Sequence, residues 1–126
     1  MRAVGNTLIS EEVSLEERVE RVSRKSAALR PLSTYRLQFN AGFGFKAALE
    51  VVPYLKALGI SHVYASPLLR ARGGSTHGYD IADHNQINPE LGSMEDFAAL
   101  TTALREHGMG LVLDTVPNHM GIGKGD

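Results

Sequence analysis

With 126 residues, of which 43% are hydrophobic and 21% charged, the chain is sized for one modest core and has the composition of an ordinary folded protein. A formal net charge of -1 supplies no field for nucleic acid or an anionic membrane, so neither is an expected partner. The lack of cysteine excludes a disulfide framework and a thiolate nucleophile or metal ligand, and with no long apolar run and no apolar leader after Met1 the expected location is the cytoplasm.

The first thirty residues read as a leader. Ser14 and Glu17 form a capping-box pattern, and a helix over 14–29 is predicted to follow. Leu15, Val19, Val22 and Leu29 make its apolar stripe, with Glu17 to Arg21 and Glu20 to Arg24 as favourable i,i+4 pairs. Pro31 ends it, which divides the chain into a leader, 1–31, and a second region, 32–126.

Strands and helices then alternate. Thr34 to Phe39 has the period-two pattern of a strand, and Asn40 to Gly44 breaks it. Ala48, Val51, Val52, Leu55 and Leu58 predict a helix that Pro53 either kinks or restarts, with Gly59 as its stop. His62 to Ser66 is a second strand, closed by Pro67. A polar connection from Arg70 to about Gly92 follows, long enough to suggest a functional loop. Ser93 and Asp96 cap another helix, whose Phe97, Leu100 and Leu104 share a face before Gly108 ends it. Gly110 to Leu113 is a short buried strand leading into Asp114. Strand, helix, strand, helix, strand predicts an α/β fold with a parallel sheet of about three strands.

Ligands of parallel β/α folds meet the carboxyl ends of the strands. Two polar clusters stand there: Ser75 to His84 after the second strand, and Asp114 to His119 after the third. A sugar site needs carboxylate, amide and imidazole groups for the hydroxyls and an aromatic face for the apolar side of the ring. Asp114, Asn118, His119 and Tyr79 supply that set. Taken singly, each has another reading: Asp114 as a strand-end cap, Asn118 as loop chemistry, Tyr79 as packing. His77, Asp80, Asp83 and His84 are ligand-type side chains at close spacing, but no closed zinc pattern is present, and neither a metal nor a cofactor is predicted. His62 and His107 read as structural. Gly42-Phe43-Gly44 lacks the third glycine and the lysine of a phosphate-binding turn.

Together the clusters are more specific than apart. Asp114-Thr115-Val116-Pro117-Asn118-His119 resembles the first signature region of the alpha-amylase superfamily, glycoside hydrolase family thirteen, at the end of the third strand of a (β/α)8 TIM barrel. Ser33 to Gln38, Ser75 to Asp80, Ile87 to Gly92 and Val116 to Met120, in that order, resemble more narrowly the maltooligosyl trehalose synthases within that superfamily. The resemblance spans Ser33 to Gly121. It implies that His119 bonds a hydroxyl of the sugar at the cleavage subsite, that Tyr79 is the stacking platform, and that Asn118 and Asp114 hold the loop. His77 and Asp80 complete the expected substrate-binding set. In amylases the matching asparagine often helps bind calcium, but further ligands cannot be recognised here and no metal is expected.

The same resemblance implies a retaining mechanism through a covalent glycosyl-enzyme intermediate, which the released glucose re-attacks through its anomeric hydroxyl, turning an α-1,4 end into an α,α-1,1 end. The expected substrate is a maltooligosaccharide or other α-1,4-glucan, and the implied functional partner is a trehalose-releasing hydrolase. Alternatives are another α-glucan hydrolase of the family and a non-catalytic carbohydrate-binding half barrel. The family's nucleophile, acid/base and third carboxylate follow strands four, five and seven, so they are expected beyond Asp126 and no catalytic residue is expected within these 126. A complete barrel takes about 250 residues, so the expectation is the N-terminal part of one, inactive alone.

Overall fold

The computed structural model describes residues 14–21, 30–118 and 120–122. The chain forms two compact units, Met1–Arg30 and Pro31–Asp126. In the first, residues 15–21 are helical, and the Ser14 hydroxyl accepts the Glu17 backbone N–H at 3.2 Å, as an N-cap should. The remainder of the helix predicted to residue 29 lies outside the described residues.

The second unit is built on a three-stranded parallel sheet in the order β1 (Thr34–Leu37), β2 (His62–Ala65), β5 (Gly110–Leu113). Helix α1 (Phe45–Ala57) joins β1 to β2, and helix α2 (Met94–Glu106) precedes β5. The strand, helix and parallel-sheet assignments agree with the hydrophobic periodicity, but β5 is not the buried strand its apolar run predicts: Gly110 to Val112 are half-buried and Leu113 is exposed, because β5 lies at an edge of the three-stranded sheet. Helix α1 runs through Pro53 without restarting. Pro53 is on its exposed side, where water can satisfy the carbonyl that loses its i→i−4 partner. Gly59, at φ +86°, follows the Leu58 cap, a left-handed position open to glycine. At α2 the capping box is complete: Ser93 Oγ accepts from the Asp96 N–H and Asp96 Oδ2 accepts from the Ser93 N–H, both at 3.1 Å.

The long polar connection is where the structure departs from expectation. It is not a bare loop: β3 (Leu69–Ala71) and β4 (Ile81–Ile87) pair as an antiparallel hairpin, and a 3-10 turn spans Pro89–Leu91. The hairpin is irregular, with register shifts on both sides of Arg70. β4 reads Ile-Ala-Asp-His-Asn-Gln-Ile, with no alternation of polar and apolar residues to announce a strand.

Register decides the two faces of the parallel sheet. Leu37, Val63, Ala65 and Leu111 point toward the helices and join Phe39, Phe45, Val52, Leu55, Leu100 and Leu104 in one core. Arg36, Tyr64 and Val112 are direct register partners, so they share the opposite face. That second face carries the polar groups.

Candidate active-site rim at the strand ends

The rim begins with the period-two geometry of β1 and β2. Since Arg36 and Tyr64 are paired across the strands, their side chains lie together, and the Arg36 guanidinium carbon sits 4.8 Å from the centre of the Tyr64 ring. Two residues beyond Val112, on the same face, β5 delivers Asp114. The Tyr64 hydroxyl donates to Asp114 Oδ2 at 3.1 Å, and Arg36 Nη1 lies 3.5 Å from the same oxygen.

The loop between β3 and β4 brings Tyr79 to this carboxylate. Gly78 has φ +78°, and a Cβ there would come within 2.9 Å of the Pro67 carbonyl oxygen just past β2, so the turn needs both the left-handed conformation and the missing side chain. The Gln38 amide donates to the carbonyls of Thr76, at 3.1 Å, and His77, at 3.3 Å, tying the loop to the end of β1. With the loop seated, the Tyr79 hydroxyl donates to Asp114 Oδ2 and accepts from Arg36 Nη2 at 2.9 Å.

Electrostatics follow from this geometry. The Tyr79 hydroxyl, helped by Tyr64 and Arg36 and opposed by desolvation, holds the Asp114 carboxyl below its usual range. Sharing its proton with Asp114 raises Tyr79, while Arg36 pulls the other way. The hydrogen bond to Tyr79 raises Arg36, which stays a cation.

The structure therefore joins Tyr79 to Asp114, from two clusters 35 residues apart. His77 supports Tyr79: its Nδ1 accepts the Tyr79 backbone N–H at 3.0 Å, and the two rings stack at 6.0 Å between centres. Asp80 faces into the turn, where the Ser75 hydroxyl donates to Oδ1 and His77 Nδ1 lies 3.9 Å away. Asn118 is exposed in the turn after β5, and among the described residues it makes no hydrogen bond to Tyr79 or Asp114. His119 lies outside the described residues. Of the remaining ligand-type side chains, Asp83 accepts the Asn85 backbone N–H and His84 meets the Val116 carbonyl oxygen. A cleft of about 450 Å³ lies along the hairpin, lined by Arg70, Arg72, Ser75, His77, Asp80 and Glu90 among others. Neither Tyr79 nor Asp114 lines it, and the convergence of Arg36, Tyr64 and Asp114 at the strand ends with Tyr79 from the loop makes the rim the stronger candidate.

Arg36, Gln38 and Tyr64 are site residues to which the sequence reading gave no role, although Arg36 and Gln38 fall in the Ser33 to Gln38 segment. A signal for them exists: Arg36 and Gln38 alternate with the apolar Leu37 and Phe39, which puts two polar side chains on the sheet face opposite the helices.

The model of the alpha-amylase catalytic domain matches residues 44–124. A protein named as a maltooligosyl trehalose synthase in Mycobacterium tuberculosis is 49% identical over 98 residues, which is 74% of this chain and 13% of that protein. Alpha-amylase 2 of Dictyoglomus thermophilum is 37% identical over 84 residues, 67% of this chain and 15% of its own length. Among solved structures, the maltooligosyltrehalose synthase from Arthrobacter ramosus superposes with a TM-score of 0.71 at 48% identity, covering 74% of this chain and 12% of that one. The three parallel strands and two helices thus correspond to part of the (β/α)8 barrel of these proteins. The chain spans only about an eighth of the length of such synthases, 13% in the mycobacterial case.

Proposed function

The chain belongs to the alpha-amylase catalytic-domain family, and from that membership we propose that it is the N-terminal barrel segment of a maltooligosyl trehalose synthase. On this reading it supplies part of the glucan-binding rim of an enzyme that converts the reducing-end α-1,4 linkage of a maltooligosaccharide to an α,α-1,1 linkage. The observation that carries it is the anchoring of Tyr79 on Asp114 at the carboxyl end of a parallel sheet. A tyrosine whose hydroxyl is fully engaged offers its ring as a rigid apolar platform for a pyranose. The higher identity to the synthase than to the amylase favours the transfer reaction over hydrolysis.

The roles combine what the family resemblance implies with the contacts described above. Tyr79 stacks on the sugar, His77 braces its ring, Asp114 anchors its hydroxyl, and Asp80 holds the turn that presents it. By the family resemblance His119 bonds a sugar hydroxyl, and Asn118 helps hold the loop after β5. The nucleophile and acid/base belong to sequence C-terminal to Asp126, where the retaining mechanism forms and resolves a glycosyl-enzyme intermediate. Glucose rather than water resolves it if the pocket holds the leaving sugar and excludes solvent. No described helix is long and apolar enough to cross a membrane. A cytoplasmic location, a place in trehalose biosynthesis and a trehalose-releasing hydrolase acting on the product complete the proposal.

The test uses the polypeptide encoded by the complete open reading frame containing this segment, incubated with maltopentaose. Isomerisation to the α,α-1,1 end consumes reducing ends, so the reducing-sugar signal falls. A hydrolase raises the signal. Binding with no change in either direction leaves a carbohydrate-binding module and rejects the enzyme.

A further inference from the structure

Resting on the reading of Tyr79 as a sugar platform, we infer that Arg36 is a positioning residue that fixes the orientation of the Tyr79 ring. Tyr79 comes from a loop, and its bond to Asp114 alone is a single pivot about which the ring could swing. Arg36 supplies a second anchor from β1. One guanidinium nitrogen, Nη2, donates to the Tyr79 hydroxyl at 2.9 Å and approaches Gln38 Oε1 at 3.3 Å. The other, Nη1, lies 3.5 Å from Asp114 Oδ2. The plane is held in turn by the Tyr64 ring, 4.8 Å from the guanidinium carbon. The division of labour at the phenol is complete: its proton goes to Asp114, and its lone pair takes the Arg36 N–H.

Two features separate this role from general support of the fold. Arg36 is about a third exposed, 35% by side chain, and exposed ion pairs contribute little to global stability. The arrangement also uses the planar fork of arginine, with two nitrogens reaching different oxygens while the plane lies on an aromatic ring. A lysine ammonium cannot reproduce it.

The experiment is a double-substitution cycle in the protein from the complete reading frame, with maltopentaose as substrate and reducing-end consumption as the rate. Arg36→Gln is expected to lower kcat/KM about 10- to 100-fold, the scale of a misplaced positioning group, with thermal stability near that of the parent. Arg36→Lys should recover only part of the loss, and it carries the test if Arg36→Gln does not fold. In a Tyr79→Phe background, which removes the hydroxyl that Arg36 grips, Arg36→Gln should cost no more than about twofold further. A full, additive loss in that background, or a rate for Arg36→Gln within about twofold of the parent, overturns the inference. Failure of the underlying reading looks different: the parent protein then leaves maltopentaose unchanged, or Tyr79→Ala has no effect on the rate, and the positioning role falls with it.

Discussion

At the residue scale, the most informative atom is Oδ2 of Asp114, on which the hydroxyls of Tyr64 and Tyr79 and the Arg36 guanidinium converge. A carboxylate with this company stays ionised, and a phenol donating to it gives up its proton reluctantly. The folded Asp114 titrates below its unfolded value. Its contribution to stability is therefore present above about pH 4 and lost as the pH falls through the folded value. Tyr79 titrates above its unfolded value, so its contribution is complete below about pH 10 and lost as the pH rises through the folded value. The cluster is intact between these limits. In an alkaline titration followed by tyrosinate absorbance, the difference between the parent and Tyr79→Phe should show a step above about pH 10. In Asp114→Asn that step should move down, because the main cause of the upward shift is gone. A Tyr79 step at or below the ordinary tyrosine value would refute the contact. Part of this site was legible without coordinates: Tyr79 and Asp114 stand in recognisable motifs. Arg36 stands in the Ser33 to Gln38 segment, but nothing in that segment says what it touches, and its role emerges only when parallel pairing sets it beside Tyr64.

At the element scale, legibility followed burial. Helices α1 and α2 each bury one face, so their periodicity marks them, and the capping box of α2 marks its first turn. The β3–β4 hairpin escaped because most of β4 is half-buried or exposed, with only Ile81 buried. A strand without a buried face leaves no alternating pattern. Close approach between elements is equally hidden. Gly44, at the start of α1, packs against the backbone of Leu91 in the 3-10 turn, and a Cβ there would overlap the Leu91 carbonyl. Gly44→Ala is expected to cost about 1–3 kcal/mol as an overpacking change. Gly73→Ala, where a Cβ meets nothing within 4 Å, should stay within about 0.5 kcal/mol of the parent. Denaturant melts of the two variants read the contrast, and equal behaviour would deny the close packing.

At the scale of the whole molecule, the second unit hangs on one core in which Phe45 links the layers. Its ring lies 5.6 Å from Phe39 beyond β1 and 5.2 Å from Phe97 on α2, both tilted, and it is fully buried. Phe45→Ala should cost about 3–5 kcal/mol, a large fraction of the roughly 5–15 kcal/mol that holds a small domain. Loss of the cooperative unfolding transition, or a drop of that size in a denaturant titration, is the expected result, and a change below about 1 kcal/mol would contradict this packing. The chain's local pattern wrote out the alternation of strands and helices, because amphipathic period is set residue by residue. It also determined the family signature after β5. Which polar residues meet was set by long-range packing. Tyr79 reaches Asp114 because Gly78 can pack on Pro67 and Gln38 can hold the loop, and Arg36 joins them because parallel register puts it on their face. Such meetings depend on distances across the chain, which local pattern cannot encode.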